Sequence, residues 1–190
     1  MFRSAKSISC IFKFAVIQYT RGELALIILG IDPGYAILGY GVIDAEKGKI
    51  KVIDYGVIET SANQSFPKRL DRLYNGVNEL ISLYSPAQVA FEELFFSKNV
   101  TTALYVGAGR GVAMLCAEQA KLPLYEYTPM QIKLAVTGNG RADKRQMQTM
   151  VKMIIGLKDI PKPDDAADAL GVAICHAHTL RCASNDFLIK

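Results

Sequence analysis

The distribution of apolar and polar residues between positions 26 and 60 is typical of β-strands. Residues 26–32 and 37–44 are mostly apolar and residues 51–60 alternate between apolar and polar, which predicts three strands with a turn at residues 46–49. Connections this short join only antiparallel neighbours. The pattern therefore predicts a three-stranded antiparallel meander.

The remainder of the chain alternates between helical and strand patterns. Apolar residues within 67–84 recur at helical spacing, whereas residues 89–96 form a short apolar run typical of a strand. A meander followed by such alternation predicts an α/β fold with a five-stranded mixed sheet flanked by helices. The later predicted elements are helices at 99–120, 129–136, 144–155 and 164–180, and a strand at 124–127.

Length and composition suit one globular domain. The chain has 190 residues, of which 51% are hydrophobic and 21% charged. We expect a dispensable extension at residues 1–25, a single domain at 26–182 and a tail at 183–190. The apolar stretch near the start is interrupted by Lys13 and is too short to span a bilayer, and no other segment predicts a membrane span. Four cysteines without a CxxC pair favour a reducing cytoplasm.

Positive charge is concentrated in one segment. The formal net charge is only +4, yet residues 133–162 carry a larger excess of basic side chains. Two interpretations are open: a solvated helix face, or a surface for an anionic partner. The basic residues are Lys133, Arg141, Lys144, Arg145, Lys152, Lys158 and Lys162, against Asp143 and Asp159.

Four acidic residues occupy unusual positions. Asp32 ends an apolar strand in the stretch ILGIDPG, where it could start a turn, hold a metal or lie beneath a nucleotide phosphate. Glu92 lies inside the apolar strand predicted at 89–96, although an edge position facing water is an alternative. Asp165 and Asp168 are three residues apart and share one face of the last helix.

Helix capping accounts for only part of the acidic run in that helix. Asp164 is a good N-cap candidate, but Asp168 lies beyond the first turn, where the helix dipole has faded. Buried carboxylates that meet at one place repel one another unless a cation lies between them. Oxygen-only ligands favour Mg²⁺ or Mn²⁺ over zinc. The four acids together therefore suggest a divalent metal site.

The order and spacing of four motifs resemble the RuvC family of bacterial Holliday-junction resolvases. The motifs are GIDPG…GYGVI at 30–43, FEELFFSKN at 91–99, GRGVA at 109–113 and DAADAL at 165–170. The resemblance covers residues 26–178 and implies a ribonuclease-H-like fold. That fold agrees with the predicted meander and the alternation that follows it.

The resemblance also implies roles for individual residues. It implies that Phe95 stacks on a base at the junction centre, and that two lysines lie near the scissile phosphate. Glu93 directly follows Glu92, so a shift of one residue would exchange them; we assign Glu92, which keeps the family spacing to Phe95. The implied catalytic metal ligands are Asp32, Glu92, Asp165 and Asp168, and the implied lysines are Lys133 and Lys144.

The activity implied by the resemblance is paired, symmetric cleavage of four-way DNA junctions in recombination and repair. It would use two Mg²⁺ ions per site, with Mn²⁺ as a substitute, and leave 5′-phosphate and 3′-hydroxyl ends. A homodimer would make the two cuts, with the small residues of the predicted helix at 99–120 near the contact. Branch-migration machinery of the same pathway is an expected partner in the bacterial cytoplasm. The alternatives are an ATPase or phosphotransferase of the actin-like superfamily, and a junction-binding protein without catalysis.

Overall fold

The computed structural model describes residues 26–94, 100–180 and 187–189. The predicted meander is confirmed, and helices and strands alternate after it. The strands are β1 (Ile27–Asp32), β2 (Ile37–Asp44), β3 (Lys51–Glu59), β4 (Gln88–Glu92) and β5 (Leu124–Tyr127). The helices are α1 (Phe66–Tyr84), α2 (Val100–Gln119), α3 (Pro129–Thr137), α4 (Lys144–Ile154) and α5 (Asp164–Leu180).

The sheet is mixed, as its sequence pattern predicts. Its strand order is β3-β2-β1-β4-β5. The pairs β1–β2 and β2–β3 are antiparallel, whereas β1–β4 and β4–β5 are parallel. The central strand β1 thus has an antiparallel neighbour on one side and a parallel neighbour on the other. Asp32 ends this central strand.

Helices cover both faces of the sheet, because successive side chains of β1 point to opposite faces. Leu29 and Ile31 belong to a core formed with α1 and α2. Ile28, on the other face, belongs to a core formed with α3, α4 and α5. The result is a three-layer arrangement with the sheet in the middle. No helix in the described ranges is long and apolar enough to cross a membrane.

One local prediction is wrong. The fourth strand, predicted over residues 89–96, ends at Glu92, and residues 93 and 94 are not part of it, so Glu92 lies at a strand end. Its neighbour β5 stops at Tyr127, whose carbonyl accepts the Glu93 N–H at 2.9 Å, and among the described residues the pairing of the two strands ends there. The predicted turn at 46–49 contains a short 3-10 helix, Glu46–Gly48. The positions of residues 95 and 96 lie outside the described residues.

Candidate active site

The strand ends bring the first two acids together. Parallel pairing matches Ile31 of β1 with Phe91 of β4, so Asp32 and Glu92 are the next residues at the same edge of the sheet. Neighbouring parallel strands lie about 4.8 Å apart, which places the two carboxylates side by side. A one-residue shift would remove Glu92 from this position. The geometry therefore favours Glu92 over Glu93 as the partner of Asp32.

Glycines let the helix α5 approach the sheet closely. A Cβ added at Gly39 would lie 2.1 Å from the Asp165 carbonyl oxygen, and one at Gly30 would lie 2.3 Å from the Ala169 carbonyl oxygen. Gly39 is paired with Asp32 across β1 and β2. This contact sets the beginning of α5, with Asp165 in its first turn and Asp168 just after it, beside the end of β1.

The acids interact electrostatically as one group. Burial, followed by the charges of Glu92, Asp168 and Asp165, raises the pKa of Asp32 to about 8. Burial and the charge of Asp168 raise the pKa of Glu92 to about 7, and Lys133 opposes this shift. Burial also raises the pKa of Asp168 above its usual range, against the effect of Lys144. Asp32 thus lies within electrostatic range of the other three predicted acids.

Two predicted lysines line the same cleft. The cleft has a volume of about 300 Å³. Lys144, at the start of α4, places Nζ 3.0 Å from Asp164 Oδ2 and 3.5 Å from Asp168 Oδ2. These contacts raise the pKa of Lys144, which remains a cation at neutral pH. The lining residues are Glu92, Pro129, Ile132, Lys133, Lys144, Met147 and Asp168.

The carboxylate oxygens are the ligand type that a hard divalent cation prefers, although their positions do not form a complete coordination sphere. Within the described ranges, no group of three or more His, Cys, Asp or Glu side chains is placed to hold a metal ion. The donor set nevertheless consists of oxygens only, and its members raise one another's pKa. Added positive charge would relieve that repulsion.

The sequence did not indicate two contacts of this site. The Pro163 carbonyl accepts the N–H groups of Ala166 and Ala167 at 3.1 and 3.4 Å, so Pro163 occupies the N-cap position of α5. Asp164 is therefore the first residue of the helix and does not cap it. Its carboxylate instead accepts a hydrogen bond from Gln148 Nε2 at 3.0 Å and pairs with Lys144. Both partners come from α4, so neither lies one helical turn from Asp164 in the sequence.

A buried polar chain supports the strands that hold Glu92. The Tyr127 hydroxyl lies 2.6 Å from His176 Nδ1, and His176 Nε2 lies 2.8 Å from Gln88 Oε1. Burial lowers the pKa of His176 to about 4, so the ring is neutral at pH 7. Because the Gln88 oxygen only accepts, Nε2 carries the proton and Nδ1 accepts from Tyr127. Gln88 begins β4 and Tyr127 pairs with Glu92, so this chain links both ends of the strand.

Comparison with known proteins decides the family. A family model described as crossover junction endodeoxyribonuclease RuvC matches residues 28–176. The chain belongs to the RuvC family. This assignment decides against the actin-like ATPase alternative. Phe95, expected to stack on a base in a RuvC protein, lies outside the described residues.

Curated RuvC proteins match over most of the chain. The crossover junction endodeoxyribonuclease RuvC of Alkaliphilus metalliredigens is 56% identical over 154 residues, covering 81% of this chain and 94% of the relative. The protein of the same name from Rubrobacter xylanophilus is 53% identical over 158 residues, covering 83% and 88%.

A solved RuvC structure matches the fold. RuvC of T. thermophilus in complex with a Holliday junction substrate is 34% identical and superposes with a TM-score of 0.79. The match covers 86% of this chain and 99% of that one. The ribonuclease-H-like fold expected from the sequence is thereby confirmed.

Proposed function

We propose that this chain resolves four-way DNA junctions by hydrolysing one phosphodiester in each of two symmetric strands. The observation that carries the proposal is the meeting of Asp32, Glu92 and the Asp165/Asp168 pair at one edge of the sheet. The names of the RuvC relatives and the T. thermophilus complex supply the substrate class. A junction-binding protein without catalysis would not need these mutually repelling acids.

The four carboxylates are proposed to hold Mg²⁺, two ions per site, with Mn²⁺ as a substitute. Bound magnesium stabilises negative charge on a phosphate and lowers the pKa of a bound water. The carboxylates contribute the negative charge that attracts the ions. Because Asp32 and Glu92 have raised pKa values, entry of a cation into this group is coupled to release of protons.

Hydrolysis requires water to attack the phosphorus atom in line with the departing 3′ oxygen. The new bond joins the water oxygen to phosphorus, and the bond between phosphorus and the 3′ oxygen breaks. The 3′ oxygen leaves as a hydroxyl after gaining a proton, and the other fragment keeps a 5′ phosphate. Lys133 and Lys144 line the cleft and would attract the phosphate and stabilise the charge that develops on it.

Paired cutting requires two copies of this site, and α2 offers a surface for a second copy. Leu104 and Leu115 are 69% and 50% exposed on this helix. A Cβ added at Gly107 or Gly111 would meet nothing within 4 Å. These four residues follow one face of the helix and leave its backbone open to close approach. We propose that this α2 face forms a two-fold dimer contact.

Other parts of the proposal extend from the family resemblance. Phe95 would stack on a base at the junction centre, and the basic segment 133–162 would follow the DNA backbone. The domain would occupy residues 26–182, with a dispensable extension at 1–25 and a tail at 183–190. The protein would act in the bacterial cytoplasm beside branch-migration machinery.

The test incubates the purified protein with a synthetic four-way junction and with a linear duplex of matched sequence. We expect paired nicks in the junction alone, with Mg²⁺ present. Glu92→Gln should retain junction binding and lower the cleavage rate by about 1,000-fold, since it removes a charge that holds the metal. Glu79→Gln, at an exposed position on α1 away from the acid group and from the proposed α2 contact, is the matched control and should cut normally.

Two results would contradict the proposal. Normal cleavage by Glu92→Gln would exclude the acid group as the reaction centre. Tight junction binding without cleavage by the wild-type protein, at any Mg²⁺ or Mn²⁺ concentration, would favour the binding module without catalysis.

A further inference from the structure

An aromatic cluster lies beside the loop that follows Asp32, and the reaction proposed above does not use it. Tyr35 of this loop stacks on Tyr105 of α2, with ring centroids 5.1 Å apart and planes at 17°. Phe66, the first residue of α1, lies 5.5 Å from the Tyr35 ring and 5.2 Å from the Tyr105 ring. We name Tyr35, Phe66 and Tyr105 the aromatic platform.

Polar contacts fix the platform in place. The Arg69 guanidinium carbon lies 3.8 Å from the centroid of the Tyr35 ring, close enough for a cation–π interaction. Arg69 Nε donates a hydrogen bond to Thr60 Oγ1 at 2.8 Å. The Thr60 hydroxyl in turn donates to the Tyr35 carbonyl at 2.8 Å. The platform is therefore held rigidly before any ligand arrives.

Packing inside one subunit accounts for only part of this arrangement. Tyr35 is held between its neighbours, but Tyr105 and Phe66 remain 42% and 38% exposed. Aromatic rings left this accessible, and held in a fixed geometry, are suited to stacking against a flat ligand. A cluster that served only to anchor the loop would gain more stability by burying them.

Basic residues of α1 accompany the platform. Arg72 is exposed and lies one helical turn after Arg69, whose guanidinium lies over the Tyr35 ring, and Lys68 is exposed next to Arg69 in the sequence. Asp71 is the acid that lies among these three cations in the sequence. Aromatic rings together with basic side chains form the combination that binds single-stranded nucleic acid, where bases stack and phosphates pair with cations.

The platform adjoins the acid group and is separate from the proposed dimer contact. Tyr35 follows Asp32 by three residues, so at most about 11 Å of chain separates their Cα atoms. Gly109 of α2 packs on this loop, since a Cβ there would lie 3.4 Å from the Gly34 carbonyl oxygen. Tyr105 is one residue from Leu104 and therefore points about 100° away from the α2 face.

We propose that the aromatic platform binds an unstacked base of a junction strand next to the cleavage site. The base stacks on Tyr105 and Phe66, and Lys68 and Arg72 contact the phosphates beside it. This inference rests on the proposed function, because it assumes a DNA strand in the neighbouring cleft. It is a second stacking site, on different elements from the one expected at Phe95.

The test uses four-way junctions that carry 2-aminopurine at single positions around the exchange point, without a divalent ion so that no strand is cut. Fluorescence of this base falls when it stacks on an aromatic ring. We expect the wild-type protein to quench it at one or more positions. Tyr105→Leu keeps apolar packing without a ring, and should lose the quenching and bind the junction about tenfold more weakly. Tyr105→Phe should behave as wild type.

Tyr74→Leu is the matched control, because Tyr74 is a 36% exposed tyrosine near the middle of α1 that donates a hydrogen bond to Gln119 at the end of α2. It should leave quenching and binding unchanged. Quenching and affinity retained in Tyr105→Leu would overturn the proposal, as would equal losses in Tyr105→Phe. Junction cleavage by the wild-type protein with Mg²⁺ is measured alongside. If the wild-type protein cleaves the junction and Tyr105→Leu keeps normal quenching and affinity, only the platform proposal is rejected. If the wild-type protein does not cleave but quenches the base as expected, only the proposed nuclease function is rejected.

Discussion

At the scale of single residues, the acid group exists at a cost to stability. Asp32 and Glu92 are largely removed from water, and each lies near other carboxylates. Ionising them in this environment is unfavourable, so both side chains have raised pKa values in the folded protein. In the unfolded chain they return to ordinary values. The difference links the free energy of unfolding to pH.

The first prediction concerns this link in the metal-free protein. The pKa of Asp32 rises from 3.8 to about 8 on folding, so between these values the folded state binds the extra proton. Stability contributed by Asp32 is therefore present below about pH 4 and is lost as pH rises through 8. Asp32→Asn should be more stable than the wild type by roughly 1–3 kcal/mol at pH 8. Urea unfolding at several pH values measures this difference.

Asp71→Asn, at an exposed position on α1, serves as the control and should follow the wild-type curve. Parallel stability curves for Asp32→Asn and wild type would show that Asp32 is not buried among other charges. Added Mg²⁺ should narrow the gap at pH 8, since it binds the ionised carboxylates of the folded state.

At the scale of secondary-structure elements, the position of α5 depends on glycines in the sheet. Gly39 faces the carbonyl of Asp165, and Gly30 faces the backbone of Ala169 and Ala173. Any side chain at these positions would push the helix away from the strands. The strands of the meander therefore help to set where the paired aspartates lie.

The second prediction is that Gly39→Ala disrupts the acid group. The new Cβ would lie 2.1 Å from the Asp165 carbonyl oxygen, so α5 must shift. We expect a loss of about 2 kcal/mol in unfolding free energy and a cleavage rate lowered by about 100-fold. Thermal unfolding and junction cleavage measure the two effects.

Gly171→Ala, on α5 itself, is the matched control. Its Cβ would lie 3.4 Å or more from neighbouring side chains, which is ordinary contact. Replacing glycine within a helix should then be neutral or stabilising. Wild-type cleavage by Gly39→Ala would show that the helix position does not control the site.

Most elements could be predicted from the sequence because their patterns are local. Strand β5 and helix α5 have the predicted bounds, since short turns and prolines delimit them. The end of β4 could not be predicted, because the apolar run in the sequence continues past Glu92. The strand ends there because its neighbours β1 and β5 end at the same edge of the sheet. The Asp32 position was predictable, since an acid that ends an apolar strand is unusual. The ion pair between Lys144 and Asp168 was not, because it depends on how α4 packs against α5.

The aromatic platform shows the same limit. Tyr35, Phe66 and Tyr105 come from a loop and from the starts of two helices, far apart in the sequence. Each alone is an ordinary aromatic residue. A cluster of this kind becomes visible only when the packing of α1 against α2 is known.

At the scale of the whole molecule, symmetric cleavage needs two acid groups at a fixed separation. The exposed face of α2, proposed above as the dimer contact, would fix this separation, because Gly107 and Gly111 leave space for a second backbone. The aromatic platform lies on the flank of the same helix. Because Tyr105 points about 100° away from that face, we expect a dimer built on it to leave both platforms accessible to DNA.

The third prediction is that Gly111→Arg yields a folded monomer. The position is open in the single chain, and arginine favours helix more than glycine does, so folding should not suffer. Light scattering should show the mass of one chain, against two for the wild type. The variant should nick junctions on one strand without the paired second cut.

Ala120→Arg, exposed just beyond α2, adds the same charge away from the proposed contact and should remain dimeric. A Gly111→Arg protein that keeps the mass of two chains would place the dimer contact elsewhere.

The order of the acids along the chain has a consequence during synthesis. Asp32 emerges from the ribosome early, Glu92 follows some way behind, and Asp165 and Asp168 come only with the helix α5. A nascent polypeptide that ends before α5 lacks Asp165 and Asp168, which are half of the proposed ligands, and it lacks the helix that positions them. Truncated translation products of a DNA-cutting enzyme would consequently be harmless to the chromosome.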